Sequence, residues 1–242
     1  MYYAIIAAAV VISAIFTPKF LVAQKPGISA KSRTYKMICA TMFVLVGLVS
    51  MKLGGNTTAF ALYMFAGLVF AWIGDLMLHI SDNMVYFAFG VVAFAGAHVM
   101  YLIANRNAWT YFFPGTPYIS VYEIIAVAAI LGVCIAALII KKMEMKAFMI
   151  AGLGVYGTVL STMFVKSLTL GVSYAKMSSG SLPAAILLII GAFFFLCSDA
   201  TLALLLFDKK NKGNFPLKCF NIFTYFSGQL MLAATIIFIK TA

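Results

Sequence analysis

The chain has 242 residues, of which 64% are hydrophobic and 10% are charged, and its mean hydropathy is +1.08. A soluble domain of this length cannot bury so much apolar surface, so the composition excludes a soluble globular protein and indicates a polytopic membrane protein. The net charge of +11 argues against a nucleic-acid partner, because the basic residues sit in short connections and form no continuous face.

Eight apolar runs follow one another along the chain, each near the roughly 20 residues that a helix needs to cross the hydrocarbon core. We therefore predict an all-α bundle of eight transmembrane helices, forming a single integral membrane domain over residues 1–242. The predicted spans are 2–22, 36–53, 57–80, 84–104, 119–140, 146–169, 183–207 and 217–239. Pro18 and Lys19 interrupt the first span.

Lysine and arginine are unevenly distributed among the connections, and this predicts the orientation. The 1–2, 5–6 and 7–8 connections hold most of them, and the positive-inside rule places those connections in the cytoplasm. Their basic residues are Lys19, Lys25, Lys31, Arg33 and Lys36, then Lys141, Lys142 and Lys146, then Lys209, Lys210, Lys212 and Lys218. With eight spans, both termini face the non-cytoplasmic side. We expect the protein in the cell (inner) membrane.

An internal repeat is centred on two aspartates inside apolar runs. The segment "GDLML" at 74–78 in span 3 matches "SDATL" at 198–202 in span 7. The next spans also match when His98 is aligned with Gln229. This pattern predicts two parallel four-helix pseudo-repeats about an axis along the membrane normal, which brings Asp75 and Asp199 to similar depth on facing helices.

A carboxylate in the middle of a transmembrane helix costs about 2.5–3.5 kcal/mol on insertion scales, so two at matching positions require a reason. One interpretation is structural: each aspartate bonds to a neighbouring polar group or pairs with a lysine such as Lys166. The other is a polar pocket in which one aspartate is protonated and acts as an acid while the other is ionised and acts as a base. The small residues Gly74 and Ser198 precede the aspartates and favour close helix approach.

Further polar residues are candidates for the same pocket. His98 is either an interhelical hydrogen-bonding residue or part of the site, and Ser198 is a candidate donor to a carboxylate. The candidates for pocket lining are Tyr156, Asn221, Tyr225 and Gln229. We interpret His79 as a helix-interface residue and Glu123 as solvated near the outer end of span 5. Two histidines and two aspartates could in principle bind a metal, but no two candidate ligands share a helix at metal-binding spacing, so the sequence does not support a metal site. No other cofactor is expected.

An ordered set of short motifs resembles the lysoplasmalogenase (YhhN-like) family of integral membrane hydrolases. The motifs are Lys25-Pro26, Gly74-Asp75-x-x-Leu78, Phe87, Gly90, Phe94, His98, Tyr101, Tyr156 with Met163, Gly191, Phe194, Ser198-Asp199-x-x-Leu202-Ala203 and Thr224-Tyr225 with Gln229. The resemblance implies eight spans and hydrolysis of the vinyl ether bond of lysoplasmalogens to a fatty aldehyde and a glycerophospho-alcohol. It also maps the two essential aspartates of the family onto Asp75 and Asp199.

The implied chemistry suits the residues. Acid hydrolysis of a vinyl ether begins with protonation of an alkene carbon, which needs a neutral carboxylic acid, and a second carboxylate then stabilises the cation and activates water. We expect Asp75 and Asp199 to share these roles, with His98 orienting one of them or the water. Lys25, Lys36 or the lysines of the 7–8 connection are candidates to meet the lipid phosphate.

The principal competing function is a proton-coupled transporter of a small molecule or lipid, because carriers also place carboxylates in repeated helical frames. A lipid-binding protein without turnover and a zinc-dependent lipid hydrolase are two further candidate functions. No proline lies in the interior of span 3 or span 7, since Pro183 is the first residue of span 7. This favours the enzyme, because carriers often break their helices at the site. The expected partners are a lysophospholipid substrate and membrane lipids, and the sequence leaves the oligomeric state open.

Overall fold

The computed structural model describes residues 1–55, 57–141, 143 and 147–241, and these residues form eight α-helices and no strand. The helices are α1 (Tyr2–Ala23), α2 (Ala30–Gly54), α3 (Ala59–Ile80), α4 (Met84–Phe112), α5 (Val121–Ile140), α6 (Ala147–Ala175), α7 (Leu182–Phe207) and α8 (Phe215–Thr235). The all-α prediction is confirmed for this part of the chain. Lys142 and Lys146, which the orientation prediction used, lie outside the described residues.

Seven of these helices, α1 to α7, are long and apolar enough to cross a membrane. They mark the chain as an integral membrane protein. The helix α8 has 21 residues but is less apolar, because it contains Asn221, Thr224 and Gln229. That α8 also crosses the membrane, which would complete eight spans, stays a prediction.

The second helix begins well before its predicted span. The side chain of Ser29 accepts a hydrogen bond from the backbone N–H of Ser32, and the Ser32 side chain accepts one from the backbone N–H of Ser29. This reciprocal cap starts α2 at Ala30, where the hydrophobic pattern placed the start at 36. Lys36 therefore lies inside the helix, almost two turns from its start, and not at a helix edge.

Two other helices extend beyond their predicted spans. The helix α4 continues to Phe112, where the prediction ended at 104, because its polar turn is satisfied: Asn105 Nδ2 donates a 2.9 Å hydrogen bond to Ser167 Oγ on α6. The helix α6 likewise continues to Ala175. Pro18 does not end the first helix, since α1 runs through it to Ala23.

The helices pack as sequential neighbours around one apolar core. The pairs α1–α2, α3–α4 and α7–α8 are in close contact, and α2, α4, α6 and α8 bring them together. By contrast, α5 packs against α6 and leaves most of its apolar surface exposed. The large side chains of the core are Phe43, Met64, Tyr101, Met163, Phe195 and Leu232. This arrangement places the middle of α3 and of α7 inside the bundle.

Glycines allow the closest helix contacts. A Cβ atom on Gly228 would lie 2.9 Å from the carbonyl oxygen of Gly191, so α7 and α8 meet backbone to backbone. In the other pair, the ring of Tyr101 on α4 lies directly over Gly67 on α3. Small residues at such points let helices approach closely in a membrane protein.

The prediction that Glu123 is solvated is wrong. Glu123 is buried near the start of α5, where its Oε1 accepts a 2.7 Å hydrogen bond from Lys166 Nζ and a 2.6 Å bond from Thr169 Oγ1, both on α6. The same ammonium donates to the carbonyl oxygen of Tyr118 and lies over the ring of Trp109. Lys166 is therefore the partner of Glu123, and not of either predicted aspartate. Through Tyr118, the interaction also joins α6 to the connection between α4 and α5.

Candidate active site

Asp75 is completely buried on α3 and has two partners from other helices. Its Oδ1 atom lies 2.8 Å from Nζ of Lys36 on α2, and its Oδ2 atom accepts a 2.6 Å hydrogen bond from the hydroxyl of Tyr225 on α8. A cation and a hydroxyl donor both stabilise a carboxylate in an apolar interior. One partner of Asp75 therefore comes from the first half of the chain and the other from the second half.

Lys36 is the main residue of the site that the sequence did not identify. Sequence reasoning offered it as a candidate for the lipid phosphate, but its side chain is 6% exposed and forms an ion pair with Asp75. Because α2 starts at Ala30, Lys36 lies within the helix and is buried in the bundle, and it is not part of the preceding loop. The Ser29 capping sequence was the available signal for this position.

Asp199 on α7 has a different environment. Its Oδ2 atom accepts a 2.5 Å hydrogen bond from the hydroxyl of Tyr156 on α6, and Nε2 of His98 on α4 lies 3.5 Å from the same oxygen. The ring nitrogen of His98 and the hydroxyl of Tyr156 are 3.2 Å apart. Because the Tyr156 proton points to the carboxylate, its oxygen accepts from His98 Nε2–H. Asp199 is therefore at the end of a hydrogen-bonded triad.

Aromatic rings join the two aspartates. The ring of Tyr225 packs edge-on against Phe94, at 5.9 Å between centroids, and against Phe195, at 5.6 Å. Phe195 in turn lies 4.5 Å from the ring of His98. The contacts run from Asp75 through Tyr225 and Phe195 to His98, which lies beside Asp199. These apolar rings exclude water from the space between the two carboxyl groups, and electrostatic interactions are stronger where water is excluded.

Gln229 lies beside this cluster. Its side-chain oxygen accepts a 2.7 Å hydrogen bond from the hydroxyl of Tyr101. The other amide atom, Gln229 Nε2, is buried and has no hydrogen-bond partner within the described part of the chain, and the same is true of His98 Nδ1. Buried polar atoms of this kind are costly unless a water or a ligand satisfies them.

Three other predicted residues do not contact either carboxylate directly. Asn221 Nδ2 donates to Ser198 Oγ at 2.9 Å and to the Ser198 backbone oxygen at 2.7 Å, so this pair joins α8 to α7 next to Asp199. Lys25 is exposed in the turn after α1, with its ammonium 4.3 Å from the ring centroid of Phe215.

His79 does lie at a helix interface, and it contacts the site through Lys36. Its ring is buried on α3, with Nδ1 3.2 Å from Nζ of Lys36 and Nε2 3.1 Å from the side chain of Gln24. A separate groove of about 400 Å³ lies between α5 and α6, with Phe164, Val165 and Leu168 in its lining, and it reaches neither aspartate. The interior constellation is the better candidate site, because the reactive side chains lie there.

Residues 32–236 match the model of the YhhN family, so the match covers most of the chain and includes both aspartates, Lys36 and all their partners. No curated protein and no solved structure matches the chain. Within the described residues, no group of three or more His, Cys, Asp or Glu side chains is placed to hold a metal ion. From the extent of the family match, as the sequence motifs predicted, the chain belongs to the YhhN family.

Proposed function

We propose that this protein hydrolyses the vinyl ether bond of lysoplasmalogens, releasing a fatty aldehyde and a glycerophospho-alcohol. The observation that carries the proposal is the presence of two carboxylates inside the bundle, one paired with a cation and the other hydrogen-bonded to a phenol beside a histidine. The two carboxylates have different surroundings, and different surroundings allow one carboxyl group to act as an acid while the other acts as a base.

The contacts assign different roles to the two aspartates. Lys36 stabilises the charged form of Asp75, so Asp75 acts as the carboxylate that stabilises a cation. Asp199 has no lysine at this distance among the described residues, and its side chain is 11% exposed against 1% for Asp75. We therefore assign the acid role in the proposed reaction to Asp199, because it is the more exposed of the two carboxyl groups.

The reaction proceeds in three steps. The Asp199 carboxyl transfers its proton to the alkene carbon farther from the ether oxygen, leaving a carboxylate and an oxocarbenium ion. Asp75 stabilises that cation while a water adds to the carbon that bears the oxygen, and the proton lost by the water returns to Asp199. The hemiacetal then breaks its carbon–oxygen bond to the glycerol; its hydroxyl loses a proton to become the aldehyde carbonyl, and the glycerol oxygen gains a proton to become the alcohol. No metal or other cofactor has a place in this scheme.

The remaining site residues have supporting roles in the proposal. His98 and Tyr156 orient Asp199, and Tyr225 orients Asp75. Gln229 Nε2 is a buried donor that a water or the substrate oxygen would satisfy, and His98 Nδ1 is a buried acceptor that a water O–H would satisfy. Ser198 and Asn221 hold α7 against α8 beside Asp199. Lys25 lies at the cytoplasmic surface, where a basic side chain meets a phosphate head group.

We also propose that the chain consists of two parallel pseudo-repeats of four spans each, with both termini on the non-cytoplasmic side. In support, each aspartate has one partner from the helix preceding its own and one from the last helix of the other half. Gly67 and Gly191 each stand eight residues before an aspartate, and they pack against Tyr101 and Leu232 at aligned positions.

Aldehyde release from lysoplasmalogen by the purified protein in detergent tests the activity. We expect Asp75→Asn and Asp199→Asn each to lower the rate by about 10²–10⁴-fold with the fold retained. Asp208→Asn, at an acidic residue after α7 and outside the site, is the matched control and should keep full activity. Unchanged release in either site variant would refute the two-carboxylate mechanism. No turnover together with pH-driven uptake into vesicles would instead establish the transporter, and loss of activity with EDTA would indicate a metal.

A further inference from the structure

The ammonium group of Lys36 on α2 contacts two side chains of α3. It lies 2.8 Å from Asp75 Oδ1 and 3.2 Å from His79 Nδ1, and these two side chains stand one turn apart on the same face of α3. On the other side of the imidazole, Nε2 lies 3.1 Å from the side-chain amide of Gln24, the residue that follows α1. The side chains of Gln24, His79, Lys36 and Asp75 therefore form one continuous chain.

The protonation of His79 follows from its neighbours. A lysine ammonium only donates hydrogen bonds, so Nδ1 of His79 must be the bare acceptor and the ring proton of the neutral imidazole lies on Nε2. Two N–H groups do not pair, so the amide of Gln24 presents its oxygen to Nε2. This orientation exchanges the positions of the oxygen and nitrogen of the Gln24 amide. It gives Gln24 Oε1 a donor, whereas in the other orientation this oxygen is buried without a hydrogen-bond partner in the described part of the chain.

We propose that His79 is a positioning residue that, as the neutral Nε2–H tautomer, holds the Lys36 ammonium against Asp75. A lysine head group on a four-carbon stem has many rotamers, and a single carboxylate contact does not select one of them. The second acceptor at His79 Nδ1 fixes the direction of the ammonium, and the Gln24 amide fixes the imidazole in turn. The ring of Phe20 packs edge-on against His79, at 5.5 Å between centroids, and keeps the imidazole in place.

This inference rests on the proposed function, since it gives His79 a role in the reaction of Asp75. If Lys36 is misplaced, the buried Asp75 loses the cation that stabilises its charged form, so its neutral form is favoured. A neutral carboxyl group stabilises the oxocarbenium ion less well than a carboxylate does. The variant loses stabilisation of the transition state but not affinity for the lipid, so kcat falls while KM changes little.

Nitrogen-15 NMR of histidine-labelled protein in detergent reads the tautomer directly and without substrate. The chain has two histidines, so one variant, His98→Asn, assigns both signals. We expect bare Nδ1 and protonated Nε2 at His79, and a mixture of tautomers after Lys36→Met removes the donor. A His79 protonated on Nδ1 would overturn the inference, because Lys36 would then have to be a neutral amine that accepts the proton.

A matched set of variants tests the role in catalysis. Asparagine places an oxygen where Nδ1 lies, glutamine places its amide nearer Nε2, and phenylalanine keeps the ring without either nitrogen. We expect His79→Asn to keep kcat within about twofold of wild type, and His79→Phe and His79→Gln to lose about tenfold or more, with KM little changed. Equal losses in all three would overturn the positioning role. A wild-type protein that releases no aldehyde would contradict the proposed function alone, because the tautomer is read independently.

Discussion

The hydroxyl of Tyr225 on α8 donates a 2.6 Å hydrogen bond to Oδ2 of Asp75 on α3, and the two residues are 150 positions apart in the chain. Conversely, Nε2 of His98 on α4 lies 3.5 Å from Oδ2 of Asp199 on α7. Each half of the chain thus supplies a residue to the aspartate of the other half. The environment of either carboxylate is complete only when both halves pack together, so the site depends on the contacts between the halves.

Replacing Tyr225 with phenylalanine removes this hydroxyl and keeps the ring that packs against Phe94 and Phe195. Asp75 then loses one charge-assisted hydrogen bond, and we expect kcat for aldehyde release to fall about tenfold or more with the fold intact. The matched control is Tyr174→Phe, which removes only a 3.4 Å contact to the backbone of Phe238 outside the site. Equal activity of the two variants would contradict a role for the Tyr225 hydroxyl.

The sequence singled out both aspartates and the residues that the structure places around Asp199, and their role in a site stays a prediction. A carboxylate inside an apolar span is costly, so its position alone identifies it. The neighbouring polar residues Tyr156, His98 and Tyr225 likewise stand out within helices that are otherwise apolar. Their common location in the interior follows from the packing of α3, α4, α6, α7 and α8.

The partners of Lys36 and Lys166 were not predicted, for two different physical reasons. Lys36 stands near a helix start, where hydropathy cannot separate a loop lysine from a buried one, and only the cap at Ser29 places it inside α2. Lys166 and Glu123 are 43 residues apart on different helices, and no periodicity relates them. Pairing between helices depends on rotation about each helix axis, which an apolar pattern with few polar residues leaves poorly defined.

Removing Lys36 should affect stability and activity in separable ways. Lys36→Met leaves the Asp75 charge buried without its cation, and breaking one side of such a pair costs about 3–5 kcal/mol. We expect a lower melting temperature in detergent and a large loss of aldehyde release. The double variant Lys36→Met with Asp75→Asn should recover most of the melting temperature and remain inactive. A double variant as unstable as Lys36→Met would show that the lysine stabilises the fold by some contact other than the ion pair.

The pair formed by Lys166 and Glu123 offers the complementary case, since it lies outside the site. Lys166→Met should lower the melting temperature by an amount similar to that for Lys36→Met, because Glu123 is left buried and unpaired. The kcat of the folded protein should change less than twofold at a temperature where the variant is intact. A loss of kcat as large as that of Lys36→Met would mean that the α4–α5 connection takes part in the reaction.

The contact of Gly191 with Gly228 predicts a strong effect from a single methyl group. A Cβ at position 228 meets the Gly191 carbonyl oxygen at 2.9 Å and the Phe195 backbone nitrogen at 3.2 Å, and neither backbone atom can move without displacing α7. We expect Gly228→Ala to lower the melting temperature by several degrees. Gly152→Ala, in α6 with nothing within 4 Å of the new atom, should leave it unchanged or slightly higher, as alanine favours helix. Similar melting temperatures for both variants would contradict the close approach.

Asp208, which follows the last residue of α7, makes the α7–α8 connection sensitive to acid. The backbone N–H of Lys210, the Asn211 amide and the Lys141 ammonium hold the pKa of its carboxyl below the ordinary value. A lowered pKa in the folded state stabilises the fold above the unfolded pKa of about 3.9, and that contribution is lost as the pH falls through the folded pKa. Hydrogen exchange in residues 208–214, corrected for its intrinsic pH dependence, should therefore accelerate between pH 5 and pH 3, by about tenfold or less. Asp208→Asn should remove this pH dependence, and an acceleration that persists in the variant would assign it to another group.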